Sequence, residues 1–267
     1  MKFVFFTNPM KPNTDAIIGR LAGIANAHGI ETVSTTDSAE LEKLLSENRN
    51  DALCVVVIGG DGTVLRAVSA ASPRDIPVLG VNLGRVGFFS EISVDEFERA
   101  VALLQSGQFH IERSAMLNCT VNGENMGNCL NDFAIHRQEL ASITHIELVI
   151  DGDSVGDVMA DGLIVATPSG STAYTMSAGG PVVAPKLECI LVTPVCPHSL
   201  TVRPIVAAVD SEITVKLKCV CRLSLDGQNV KILYPDDEVG FRNSKRTAAF
   251  IRFGNRNVFK LIREKLR

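Results

Sequence analysis

Over roughly the first hundred residues, short apolar runs alternate with stretches of helical period. Phe3 to Phe6 reads as a strand. Ile17, Leu21, Ile24 and Ala25 then follow at helical spacing, closed by Gly29. Asp37 with Glu40 has the form of a capping box, and Leu41, Leu44 and Leu45 behind it share one helix face. Ala52 to Ile58 is continuously apolar, as a strand covered on both faces of a parallel sheet must be, and Pro77 to Val81 repeats that character. Ser93 and Glu96 cap a further helix in which Phe97, Ala100, Val101 and Leu104 recur on one face. Strand and helix alternating in this way predict an α/β N-terminal domain with an open, mostly parallel sheet.

After about residue 112 the period changes. Ile213, Val215 and Leu217 alternate strictly with Thr214, Lys216 and Lys218, leaving both lysines on a solvated strand face. Leu223 and Leu225 precede Asp226-Gly227, a strong hairpin signal, and Asn122-Gly123 is a second candidate turn. Helical spacing is scarce here except near Thr172 to Ala178. The prediction is a β-rich, sandwich-like C-terminal domain over 113–247, with 1–112 forming the α/β domain. Ala248 to Phe253 reads as a last strand returning to the first domain, so that 248–267 rejoins it. No Pro/Ser/Gly linker separates the halves, which are expected to pack closely around a cleft that holds the chemistry.

Composition narrows the class. The chain has 267 residues, 46% of them apolar, and a formal charge of −4, which excludes disordered, collagen-like and small disulfide-scaffold proteins. Mild acidity argues against a nucleic-acid or membrane partner, which would want a basic patch. Seven cysteines lie at 54, 119, 129, 189, 196, 219 and 221, without any Cys-x-x-Cys pair. Several sit within apolar runs, so reduced thiols fit better than a disulfide framework, and Cys219-x-Cys221 has the wrong spacing for a zinc knuckle. The apolar stretch of Met1-Lys-Phe-Val-Phe-Phe6 is too short for a signal peptide or a membrane span. A cytoplasmic location is expected.

Two segments can carry chemistry. Gly59-Gly-Asp-Gly-Thr63 follows the buried strand directly and precedes a helix expected to begin near Val64. Glycines at such a turn bring backbone N–H groups towards a ligand, and a helix N-terminus adds partial positive charge, so phosphate is the natural guest. Asp61 would repel that anion unless it accepts a proton from a hydroxyl or holds a bridging metal. The plainer alternative is a tight turn whose aspartate merely caps the helix. Neither the P-loop nor the dinucleotide-binding glycine fingerprint is present. The second segment, Asp161-Gly-Leu-Ile-Val-Ala-Thr-Pro-Ser-Gly-Ser-Thr-Ala-Tyr174, runs on to Ser177-Ala-Gly-Gly-Pro181. Its hydroxyls offer donors and acceptors, and Tyr174 offers a ring on which a base can stack. Helix caps and a core tyrosine would look the same locally. Asn131-Asp132, after a short strand, adds a third polar cluster.

Taken in order, these segments resemble the NAD kinase family, as do Leu191 to Leu200, Arg203-Pro204 and Ser224-Leu-Asp-Gly-Gln228. The likeness extends from about residue 3 to residue 253. The Gly-Gly-Asp-Gly loop alone is shared with lipid kinases and phosphofructokinases, whereas the segment from Asp161 to Pro181 is specific. The resemblance implies transfer of the terminal phosphate of ATP, or of polyphosphate in some members, to the adenosine 2′-hydroxyl of NAD, giving NADP. It implies that Asp61 approaches that hydroxyl as base or orienting group, on a loop of Gly59, Gly60, Gly62 and Thr63. Asn131 and Asp132 would hold ribose hydroxyls, Tyr174 would stack on adenine, and Thr172 and Ser177 would bond its edge, with Ala173 between them. Asp161 is expected near the nicotinamide amide and Gln228 near the ligand. Arg66, one turn into the helix, can pair with phosphate or simply be a solvated helix cation. Mg²⁺ carried by the nucleotide is implied, with Asp61 as its candidate ligand, as is a homodimer or homotetramer.

Three positions depart from the family pattern. The commoner Asn-Glu pair is Asn131-Asp132, one methylene shorter. Met159 stands where many relatives carry a basic residue, so no direct cation contact is expected there from this otherwise ligand-lining position. Ser169 replaces a threonine. His198 is expected to be a hydrogen-bonded structural residue; His136 and His145 carry no motif. Arg263 to Arg267 is expected to be a frayed tail. Two rivals remain, a lipid or sphingoid kinase sharing the glycine loop and a non-catalytic NAD-sensing module. An NAD(P)-dependent oxidoreductase is disfavoured by the missing fingerprint.

Overall fold

A computed structural model describes residues 2–9, 14–47, 53–84, 86–139, 143–199, 201–254 and 258–265. Met1, Ala52, Leu200, Leu266 and Arg267, each at the end of a stretch discussed above, lie outside the described residues. The chain divides into two compact units, one formed by Met1–Ser114 with Thr247–Arg267 and the other by Ala115–Arg246.

In the first unit β1 (Lys2–Thr7), β2 (Glu31–Thr35), β3 (Leu53–Ile58), β4 (Val78–Asn82) and the two-residue β5 (Ile92–Ser93) are parallel, in the order β2-β1-β3-β4-β5. Four helices, α1 (Thr14–Ala27), α2 (Ser38–Glu47), α3 (Asp61–Ala71) and α4 (Phe97–Gln105), cover it. Alternation explains the unbroken apolar runs. Phe3, Phe5, Val56 and Leu79 pack with Leu21 and Ala25 of α1 and Phe97 and Val101 of α4. Val4, Phe6, Val55 and Val57 are equally buried on the opposite face, where α3 lies against β1, β3 and β4.

The Ser93–Glu96 capping box forms, Ser93 N–H donating to Glu96 Oε2 at 2.8 Å, and opens as a single 3-10 turn before α4. At α2 only half of the expected box exists. Asp37 Oδ1 accepts Glu40 N–H at 2.8 Å, but Asp37 N–H donates to Thr35 Oγ1 at 3.1 Å and the Glu40 carboxylate accepts the Thr35 hydroxyl. A threonine at the end of β2 thus bridges the two groups that the box would pair directly.

The second unit is built from antiparallel strands. β6 (His110–Val121) leads into it and pairs with β7 (Glu124–Cys129) through a turn at Asn122-Gly123. β8 (Asp132–Arg137), β9 (Thr144–Ile150), β10 (Asp153–Ala160), β11 (Gly162–Ala166), β12 (Cys189–Val195), β13 (Ile205–Ala208), β14 (Ile213–Leu217), β15 (Cys221–Leu225), β16 (Gln228–Leu233) and β17 (Glu238–Arg252) follow. One sheet runs β10-β9-β14-β17, the other β13-β12-β11-β8-β15-β16. A shared core joins Ile146, Leu148, Val215 and Val239 of the first to Phe133, Ile135, Leu163 and Leu223 of the second, the sandwich that the alternation predicts. Both anticipated hairpin turns have two consecutive positive φ angles, 50° and 81° at Asn122-Gly123 and 46° and 78° at Asp226-Gly227, as a type I′ turn requires.

Helix is sparse here: a 3-10 turn over Ser169–Thr172 and the four-residue α5 (Tyr174–Ser177). These cover the outer face of the second sheet, Tyr174 and Ala178 packing on Ala134, Ile164 and Leu191, so all five residues of β11 are buried. The end of β17 belongs to the first unit, where Phe250 pairs in parallel with Val78 of β4. Of the stretch expected to be a frayed tail, Arg263 to Lys265 belong to α6 (Val258–Lys265), and Leu266 and Arg267 lie outside the described residues.

Candidate functional site

In the first unit the glycine loop joins β3 to α3. The helix begins at Asp61, three residues earlier than the sequence suggested, so Asp61, Gly62 and Thr63 form its first turn and Gly60 is its extended N-cap. Thr63 N–H and Val64 N–H both return to Gly60 O, at 3.0 and 3.2 Å. The Asp61 carboxylate is directed at a second loop: Oδ2 accepts Phe88 N–H and Oδ1 accepts Phe89 N–H, each at 3.0 Å. Gly87 makes this approach possible. A Cβ there would lie 2.3 Å from Asp61 Oδ1, and its N–H is held by Ser90 Oγ at 3.2 Å. Arg66 stands with its guanidinium 5.4 Å from the centre of the Phe6 ring, a cation–π contact. Gly84, Gly87 and Phe88-Phe89 were not singled out from the sequence, although two glycines and two aromatics just after a buried strand repeat the signal that marked Gly59 to Thr63.

In the second unit the polar residues gather around the β7–β8 turn. Asp226, at the tip of the β15–β16 hairpin, accepts N–H groups from Leu130 (2.9 Å), Asn131 (2.8 Å) and Asp132 (3.2 Å), and its own N–H donates to Asp132 O at 2.9 Å. Burial pushes the Asp226 carboxyl up despite those three donors. Burial, and then the nearby Asp226 charge, push Asp132 up to about 7. Thr167 ties the other side of the turn, N–H to Asn131 O at 2.9 Å and Oγ1 to Leu130 O at 2.6 Å. Gly170 then passes so close that a Cβ would sit 2.2 Å from Asn131 O. With its backbone thus fixed, Asn131 keeps a buried Oδ1 without a hydrogen-bond partner, as do the hydroxyls of Thr175 and Thr193. Unpaired buried acceptors on a rigid frame suit a polar ligand.

Tyr174 lies beside this cluster, its ring stacked on His136 at 5.7 Å and 24°. His136 Nε2 is 3.3 Å from Ser224 Oγ, and burial lowers its pKa. Thr172 donates to Ser169 O at 3.2 Å; Ala173, the junction between the 3-10 turn and α5, donates its N–H to Gly170 O at 2.9 Å; Ser177 is exposed. Asp161 is paired with Arg137, Nη1 to Oδ1 at 2.8 Å, so a cation reaches this carboxylate from β8. Met159 is 46% exposed on β10, and its carbonyl accepts His198 N–H at 2.9 Å. His198 itself is exposed, contrary to the structural role expected of it. Gln228 is exposed at the start of β16, just past the Asp226-Gly227 turn. Sequence reasoning marked Asp226 only as a hairpin turn within a family landmark and gave His136 no motif; their places in this cluster come from strand pairing, which leaves no local trace.

All seven cysteines are free, five of them buried, and among the described residues no cluster of three or more His, Cys, Asp or Glu side chains could hold a metal ion. No described helix is long and apolar enough to cross a membrane.

A glycine turn feeding a helix N-terminus in one unit, and buried open acceptors beside a tyrosine ring in the other, are the equipment of a nucleotide-binding protein. Comparison with known proteins specifies which kind. Residues 5–109 match the ATP-NAD kinase N-terminal domain and residues 130–253 the ATP-NAD kinase C-terminal domain. The NAD kinase of Methanothermobacter thermautotrophicus is 38% identical over 258 residues, spanning 94% of this chain and 90% of that protein. The NAD kinase of Geobacter sp. strain M21 is 41% identical over 225 residues, 81% and 78% of the two chains. Among solved structures, an Archaeoglobus fulgidus NAD kinase in complex with ATP superposes with a TM-score of 0.82 at 30% identity, covering 98% of this chain and 99% of that one. Yeast NADH kinase complexed with NADH superposes at 0.86 with 27% identity, covering 100% and 87%. The chain belongs to the NAD kinase family.

Proposed function

We propose that this chain transfers the terminal phosphoryl group of ATP to the 2′-hydroxyl of the adenosine ribose of NAD, giving NADP. The carrying observation is that both family domains match, and that the candidate residues fall within them, Gly59 to Arg66 in the first and Asn131 to Gln228 in the second. In this reading Asp61 orients the acceptor hydroxyl and takes its proton as the phosphoryl group arrives. The Phe88 and Phe89 N–H groups hold the two carboxylate oxygens in one orientation, which is what a group that must meet a hydroxyl needs. Phosphoryl transfer through a loose transition state asks the protein mainly for positioning and charge stabilisation.

Asn131 Oδ1 and Asp132 receive the ribose hydroxyls, Tyr174 stacks on adenine with Thr172, Ala173 and Ser177 at its edge, and Asp161 with Gln228 engages the nicotinamide half. Gly59, Gly60, Gly62 and Thr63 border the phosphates, and Met159 borders the pocket as an apolar contact. The lone Asp61 carboxylate suits Mg²⁺ that arrives already coordinated by nucleotide phosphates, whose role is to neutralise charge on the transferring group. Cytoplasmic action and a homodimeric or homotetrameric assembly complete the proposal.

The test is product formation. Purified protein is incubated with Mg²⁺, NAD or NADH, and ATP or polyphosphate, and NADP(H) is quantified, with diacylglycerol as the competing acceptor. NADP from ATP and NAD is expected. Phosphorylated lipid without NADP, or NAD binding without turnover under every donor, would reject the proposal in favour of one of the two rivals.

A further inference from the structure

Arg252 is 2% exposed near the end of β17, in the first unit. A buried guanidinium must be paired on several sides. Its Nε and Nη2 each lie 3.0 Å from Glu112 Oε1, and Nη1 is 3.2 Å from Glu91 Oε2. Glu91 is fixed in turn by accepting Phe253 N–H at 2.9 Å and donating its own N–H to Gly80 O at 2.8 Å. What remains of the cation faces Phe89: Nη1 is 3.4 Å from Phe89 O, and the guanidinium stands 5.0 Å over the Phe250 ring. That ring is stacked on Phe89 at 5.5 Å and 12°. Phe89 is therefore held at its carbonyl and at its ring, and the N–H left over is the one that bonds Asp61 Oδ1. On the far side, Gly80 leaves room for the segment, since a Cβ there would lie 2.6 Å from Phe89 O.

We propose that Arg252 is a positioning residue for Asp61, acting through Phe89. The inference rests on the reading of Asp61 as the group that meets the acceptor hydroxyl. A glycine-bearing loop would not by itself keep two N–H groups aimed at one carboxylate. The Glu91–Arg252–Glu112 triad, its guanidinium buried and clamped to Phe89 and Phe250, supplies the rigid backing. It makes no contact with substrate and takes no part in proton transfer. Its effect is to select one rotamer of Asp61 before substrate arrives, so that this ordering is not required in the transition state.

The experiment uses the full chain carrying Arg252→Lys, which keeps the charge and loses the planar fork, and Glu112→Gln, which loosens the fork from its more exposed end. Steady-state kinetics, hydrogen exchange of the 86–90 segment, and the same substitutions in an Asp61→Asn background are measured. For both variants kcat should fall by about 10-fold or more with KM for NAD within about 3-fold, as expected for lost transition-state alignment. Exchange across 86–90 should quicken while exchange in β1 and β3 stays as in the parent. In the Asp61→Asn background the second substitution should cost less than about 2-fold, because the residue it positions is gone. Equal losses in both backgrounds, or faster exchange with unchanged kcat, would overturn the proposal. If Arg252→Lys does not fold, Glu112→Gln alone decides by the same criteria. Wild-type turnover in Asp61→Asn alone would reject the role of Asp61, and the exchange data would then judge the Arg252 contact separately.

Discussion

The Asp226 carboxylate lies beneath the backbone of Asn131, its Oδ1 accepting both Asn131 N–H at 2.8 Å and Asp132 N–H at 3.2 Å. A hairpin tip in one part of the sequence thereby sets the shape of a turn 95 residues earlier. The bond is charge-assisted and sits in a buried setting, where each N–H would otherwise be left without water.

Asp226→Ala should accordingly be among the more damaging substitutions in the second unit. Leaving three buried donors unpaired should cost about 2–4 kcal/mol, less than three independent losses because the turn can relax. Asp226→Asn keeps one acceptor oxygen and should lose about half as much. Urea denaturation of the three proteins checks the order, and KM for NAD should rise in the same order if the turn presents Asn131 to the ribose.

Asp132 gives a pH signature of opposite sign to an ordinary paired carboxylate. Its folded-state pKa of about 7 stands above the 3.8 of a free aspartate, so the native state keeps a proton that the unfolded chain has released. Stability should therefore fall as pH rises through that window and level off above about pH 7. Asp132→Asn removes the loss, and its stability advantage over wild type should grow to about 2–4 kcal/mol by pH 8, reduced by coupling to Asp226. Urea midpoints at pH 5 and pH 8 measure this. Parallel pH curves for the two proteins would mean that the carboxyl is ionised throughout.

How much of this was legible in the chain depends on range. Ala52 to Ile58 and Gly59 to Thr63 are contiguous, so the buried strand, the glycine turn and the following helix could all be read directly. Asp226-Gly227 announced its hairpin for the same reason. Pairings that only the fold creates left no local trace. Phe89 N–H meeting Asp61, His136 stacking on Tyr174, and Arg137 reaching Asp161 join residues 28, 38 and 24 positions apart. Even the half-formed capping box at Asp37 depended on Thr35, which lies outside the motif.

Thiol accessibility tests the burial pattern without reference to function. Cys196 is the exposed thiol, Cys219 is half-buried, and Cys54, Cys119, Cys129, Cys189 and Cys221 are buried. Burial also pushes Cys54 and Cys119 up to about 12, which removes the reactive thiolate near neutral pH. Titration of native protein with a disulfide reagent at pH 8 should give one fast equivalent, assigned to Cys196 by loss on Cys196→Ser, then a slower one. All seven should appear in denaturant. Fewer than seven there would reveal a disulfide.

A stacking tyrosine and a hydrogen-bonding one respond differently to substitution. Tyr174 presents one ring face to His136, at 5.7 Å and 24°, and the adenine stack proposed above requires the other. Burial raises its phenol pKa, so the hydroxyl stays neutral across the working range. Base stacking on an aromatic ring contributes about 1–3 kcal/mol and needs the π face, not the hydroxyl. Tyr174→Phe should thus leave KM for NAD within about 3-fold of wild type, while Tyr174→Ala should raise it about 10- to 100-fold. His136→Ala should fall between the two, since it releases the ring without removing it, and urea denaturation of each variant separates lost binding from lost packing against Ile164 and Leu191. A Tyr174→Phe loss as large as that of Tyr174→Ala would place the contribution in the hydroxyl and refute stacking.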